Sequence, residues 1–119
     1  MTERGPESPK SKIDRLVRIL SFAKEERLKG YPEASAIAEK MLADTKILNE
    51  LCSDLGQIAV RNPLIPRKQF LELVKARAGG LPLSNAETRE IDNFAYSLLE
   101  AFGGALGSNG FVDLSALTA

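Results

Sequence analysis

The 119-residue chain has no His, no Trp and a single Cys, Cys52. Those gaps remove the usual zinc constellations, Ser-His-Asp and Cys-His catalysis, and any disulfide framework within one chain. Neither charge is in excess: 16 Lys and Arg face 16 Asp and Glu, which argues against a protein whose main task is to coat nucleic acid or an anionic membrane. No run approaches the roughly 18 apolar residues that a membrane span needs. The densest stretch, Leu42 to Leu55, is interrupted by polar residues throughout. The opening MTERGPESPK lacks the apolar core of a secretory signal, so the expected location is cytoplasmic.

What is present is helical pattern. A chain of this mass buries about two-thirds of its unfolded surface, enough for one small core. The expected class is therefore all-α: a bundle of about four helices at 10–106, a mobile N-terminal arm at 1–9, and a linker with an apolar tail at 107–119. Ser8-Pro9 or Ser11 opens the first helix, Ile13, Leu16, Val17 and Leu20 form its stripe, and Gly30 closes it in the left-handed conformation. Pro32 starts a long second helix whose Ala34, Ile37, Met41, Leu48, Leu51 and Leu55 step by threes and fours. Asp44 takes the one slot of that short heptad seam that should be apolar. Ala38, Leu42 and Cys52 form a second stripe beside it, with Cys52 read as a small buried thiol.

Arg61-Asn62-Pro63-Leu64-Ile65-Pro66 holds two prolines and reads as a corner. A third helix follows from about Pro66 to Ala78, with Phe70, Leu73, Val74 and Arg77 along one side, ending at Gly79-Gly80. Ser84 and Glu87 form a capping box for a fourth helix, whose Ile91, Phe94, Ala95, Leu98 and Phe102 share a face. After Gly107-Ser108-Asn109-Gly110 the tail places Phe111, Leu114 and Leu117 at steps of three, to dock on its own chain or on a second copy. No alternating run is long enough for a sheet.

The chemistry-bearing clusters are few. Glu50 and Asp54, and Glu87 and Glu90, are carboxylate pairs at helical spacing, but neither has a His or a third acid, so both read as solvated surface. The glycine doublets follow helices instead of leading from strands, so they are helix ends and not phosphate loops. No catalytic residue, metal or cofactor is expected. Residues 61–77 carry Arg61, Arg67, Lys68, Lys75 and Arg77 against Glu72, a net of 5 − 1 = +4. A DNA-binding repressor using the basic segment 61–78, with residues 67–78 as its recognition helix, is one reading of that patch. The connection is long for a helix-turn-helix, though, and the helix spends its apolar side on packing. The patch equally suits the acidic stretches 33–54 and 87–100, each net −3.

Gly80-Leu81-Pro82, then four residues, Glu87-Thr88, then two residues, Ile91-Asp92 resembles, at the same spacing, a segment of the TraM-type quorum-sensing antiactivators, over thirteen of 119 positions. QslA-type antiactivators share the size and helical character. The resemblance implies a cytoplasmic all-helical dimer that binds a LuxR-type transcription factor and covers its dimerisation surface.

The leading expectation is thus a non-enzymatic regulatory protein, forming a homodimer and sequestering a protein partner through surplus apolar helix surface. Leu48, Leu51, Leu55, Phe94, Leu98, Phe102, Phe111, Leu114 and Leu117 are the candidate dimer or partner contacts. A secretion-type chaperone or structural adaptor is the third reading.

Overall fold

Helix α1 (Pro9–Phe22) turns Leu16 and Leu20 wholly inward, with Ile13, Val17 and Ile19 half-buried beside them, as the spacing of its apolar residues requires. The computed structural model describes residues 9–102 and 110–118. The expected mobile arm, apart from Pro9, and linker residues 107–109 lie outside the described residues. The end of α1 departs from expectation. It widens into a π-helical turn over Ala23–Arg27, closed by the Leu28 N–H donating to the Ala23 carbonyl at 3.1 Å, and this turn buries Leu28. Gly30 is not left-handed; among the described glycines only Gly110, at φ 80°, is.

The long second helix is two. α2 (Pro32–Ala43) begins on Pro32 and buries Ala34, Ile37, Ala38 and Met41; α3 (Thr45–Arg61) buries Leu48, Leu51, Cys52, Leu55, Gly56 and Ala59. Asp44 between them is extended, at φ −101° and ψ 91°, and its carboxylate accepts the Ile47 N–H at 3.1 Å. A short acid satisfies an orphan donor at a helix start better than it fills an apolar seam, so capping ends the heptad run.

The proline corner contains a strand. β1 (Leu64–Pro66) pairs antiparallel with β2 (Phe111–Asp113), in the register Leu64 with Asp113, Ile65 with Val112 and Pro66 with Phe111. Three residues per strand is too short for alternation to be visible, yet both strands bury only their middle residue. The ribbon is clamped at its ends: Arg67 N–H donates to the Gly110 carbonyl at 2.8 Å and Leu114 N–H to the Pro63 carbonyl at 2.7 Å.

Helix α4 (Arg67–Ala78) follows directly, and the expected fourth helix divides at Glu90 into α5 (Asn85–Arg89) and α6 (Ile91–Ala101). The capping box forms as expected, Ser84 Oγ accepting the Glu87 N–H at 3.1 Å and Glu87 accepting the Ser84 N–H at 3.0 Å. α4 and α6 pack together, and Phe70 meets Phe102 edge-to-face with centroids 5.4 Å apart. The tail belongs to the same core. α7 (Ser115–Thr118) packs on α1 and α3, Leu114 and Leu117 are fully buried, and the Arg15 guanidinium donates to the Leu117 carbonyl at 3.0 Å. Burying each such leucine contributes roughly 1.5–3 kcal/mol before ordering costs. Of the two places expected for the tail, its own chain or a second copy, it docks on its own chain.

Candidate functional site

The nine apolar residues expected to meet a partner are mostly spoken for. Leu48, Leu51, Leu55, Phe94, Leu98, Phe102, Leu114 and Leu117 all lie in the core of one chain, and only Phe111, 43% exposed, remains outside. The physical reason is the tail. Expected as an extra apolar surface, it instead covers one, and α3 packs against α1, α2, α4 and α7. The surplus of greasy helix is smaller than the composition implies.

The basic patch is likewise divided, because Lys75 and Arg77 sit two positions apart and leave α4 in nearly opposite directions. Arg77 faces α3, its Nε donating to Asp54 Oδ2 at 2.7 Å and its Nη1 to Glu50 Oε1 at 3.1 Å. Lys75 faces α6, 3.2 Å from Asp92 Oδ1. Arg61 lies beside a separate hollow with Gln57, Ile58 and Leu73. Arg67 and Lys68 join Lys75 along a shallow depression with Leu71, Glu72 and Tyr96. The acidic stretches thus meet the basic one within a single chain. The carboxylate pairs find their roles in the same way. Glu50 and Asp54 hold Arg77, Glu87 holds Lys40 and its own cap, and Glu90 accepts from Asn93 at 2.6 Å. Among the described residues no cluster of three or more His, Cys, Asp or Glu is placed to hold a metal.

A better candidate site lies where α1 crosses α3. A groove of about 390 Å³ is lined by Lys12 and Ile13 of α1 and by Asn49, Cys52, Ser53, Gly56, Gln57 and Val60 of α3. Its floor is apolar: the buried Cys52, the bare backbone of Gly56 and one flank of Ile13. Val60 stands at one end, 72% exposed, and Asn49, Ser53 and Gln57 form a hydrogen-bonding rim. Lys12 lies across the floor, its Cδ 3.6 Å from where a Cβ on Gly56 would be. Burial pushes the Cys52 thiol above its ordinary pKa, and the Lys12 ammonium offsets this only in part, so the sulfur is a poor nucleophile and serves as apolar lining. The groove has the form of a seat for a helix: a narrow apolar floor, a polar rim and one cation.

Sequence reasoning passed over this groove because Lys12, Asn49, Ser53 and Gln57 look like solvated helix surface while Ile13 and Cys52 read as core. Gly56 was the available signal, since a glycine inside a helix that continues to Arg61 marks either an end or a place left open for close approach.

Compared with protein-family models, with curated proteins and with solved structures, the chain matches none. Among the described residues no helix is long and apolar enough to cross a membrane.

Proposed function

We propose that this chain is a non-catalytic regulatory protein that holds an amphipathic helix of a protein partner in the groove between α1 and α3. The observation that carries this reading is the groove itself, an apolar floor open to solvent beside the otherwise consumed core. A partner helix would set small apolar residues at steps of three and four over Gly56, Cys52 and Val60, with a carboxylate opposite Lys12. The thirteen-residue resemblance to TraM-type antiactivators favours a LuxR-type transcription factor as the partner, its own dimer surface blocked on binding.

The DNA-binding reading has less support, since Arg77 and Lys75 are engaged within the chain. A chaperone or adaptor would use the same groove and differs only in the partner it holds.

The test is to measure solution mass on mixing the full chain with a candidate LuxR-type regulator, for the wild type and for Val60→Asp. Because Val60 is exposed, the variant keeps its melting temperature. Complex formation with wild type and loss of about tenfold or more in affinity with the variant support the proposal. Equal binding by both excludes the groove, and affinity that falls steeply with salt in the presence of DNA alone points to phosphate contacts instead.

A further inference from the structure

We propose that the outer edge of β2 pairs with the same edge of a second copy of this chain, joining two ribbons into one antiparallel sheet across a two-fold axis. The inference is independent of the α1–α3 groove. It begins with the phase of the ladder. The Arg67-to-Gly110 and Leu114-to-Pro63 hydrogen bonds lie at the two ends of the ribbon. Hydrogen-bonded pairs in an antiparallel ladder recur at every second residue, so Ile65 and Val112 are the bonded pair between them. The N–H and C=O groups of Phe111 and Asp113 therefore point away from β1.

The two edges of the ribbon are unlike. On β1, Pro66 has no N–H, and the outward Leu64 N–H is taken by Asn62 Oδ1 at 3.1 Å, so that edge offers no free donor. On β2, no described residue accepts from the Phe111 or Asp113 N–H, and Gly110, Phe111 and Asp113 are all exposed. One edge is closed and, among the described residues, the other is open.

A second copy fits the open edge because the edge is its own complement. A two-fold contact centred on Val112 sets Phe111 opposite Asp113 of the second copy, and Asp113 opposite its Phe111, so that each outward N–H meets an outward C=O. Apolar surface lies where the sheet would continue. Leu64, 48% exposed, and Phe111 stand on the solvent face of the ribbon with Pro66, and the two-fold sets the two Phe111 side chains diagonally across the seam. The closed β1 edges then end the sheet on both sides, so pairing stops at a dimer and does not propagate into a filament. With only three residues in the strand, the contact falls below the roughly 1,200–2,000 Å² of a standard interface, which makes the dimer concentration-dependent.

The experiment is sedimentation velocity on the full chain over a concentration series reaching about 1 mM, with amide hydrogen exchange read at both ends of the series. The expected result is a rise from the 12.9 kDa mass toward twice that value, with exchange at the Phe111 and Asp113 amides slowing as the dimer forms. Phe111→Pro deletes an edge donor and shifts the midpoint to higher concentration by on the order of tenfold. Phe111→Asp keeps the donor and shifts it the same way by setting a carboxylate opposite Asp113 of the second copy, and it decides the matter if the proline variant does not fold. Val60→Asp leaves the midpoint unchanged, which separates this contact from the groove. A single mass throughout overturns the proposal. So does a dimer in which those two amides exchange at the dilute rate, one that tolerates Phe111→Asp, or one that depends on Val60.

Discussion

Arg77 and Asp54 close the contact between α4 and α3, the guanidinium Nε meeting the carboxylate at 2.7 Å while Nη1 reaches Glu50 one turn earlier. The two acids hold the guanidinium proton above its ordinary affinity, chiefly through the Asp54 hydrogen bond. Without the cation, Glu50 and Asp54 become like charges four apart on one helix, which is unfavourable. Arg77→Ala should therefore lower the melting temperature more than Lys75→Ala does, because the Lys75 partner Asp92 is 81% exposed and that pair is weak. Adding Asp54→Asn to Arg77→Ala should recover part of the loss. A double-mutant cycle by thermal denaturation at low and high salt checks this, and additive losses would show that the pair is decorative.

The Glu87 carboxylate gives the fold an acid limb. It accepts from the Lys40 ammonium and from the Ser84 backbone, and these, Lys40 first, hold its pKa below the ordinary 4.5. A carboxyl depressed in the folded state contributes stability that is complete above its unfolded value and disappears as pH falls through the folded one. Glu87→Gln, which keeps an acceptor for the cap, should be less stable than wild type at pH 7, with the gap closing steadily below pH 4.5. Urea midpoints of both proteins between about pH 2 and pH 7 give the comparison. A gap constant over that range would assign the effect to packing instead of charge.

That capping box was legible in the sequence because it is a local signal: Ser84 and Glu87 are three residues apart and need nothing else. Pro32 at the head of α2 was legible for the same reason. Asp44 was visible but ambiguous. The same residue that spoils a heptad seam is a good N-cap, and only the turn of the chain decides between them. The ribbon was not legible, because each strand is three residues long and its partner lies on the far side of α4, α5 and α6. The division of the basic patch was a matter of phase: Lys75 and Arg77 share a charge but not a face. Leu114 and Leu117 read as surplus apolar surface because composition records how much must be buried and not what buries it.

Cys52 offers a chemical report on the groove. The residue is 5% exposed and burial raises the thiol's pKa, so little thiolate forms at neutral pH and little of it is reachable. Alkylation of the native chain by iodoacetamide should be far slower than of the urea-unfolded chain, with its pH midpoint above 9.0, the ordinary value for a thiol. A helix seated in the α1–α3 groove should slow native labelling further. Timed mass spectrometry follows the reaction, and a labelling rate unchanged by a bound partner would place that partner elsewhere.

Gly56 sets stability against binding. It lies inside α3, where glycine costs about 0.5–1 kcal/mol relative to alanine because it loses more backbone freedom on folding. A Cβ there would meet only the flexible end of Lys12, at 3.6 Å from Cδ and 3.8 Å from Nζ, which is ordinary van der Waals contact. Gly56→Ala should therefore raise the unfolding free energy by roughly 0.5–1 kcal/mol, seen as a higher denaturant midpoint at constant slope. The same methyl raises the floor of the groove, and a helix that needs close approach over residue 56 should lose affinity. Opposite signs in the two measurements are the mark of a position held open for contact. A variant that is more stable and binds its partner equally well would mean that the glycine is only a weak place in α3, and that the partner helix does not sit there.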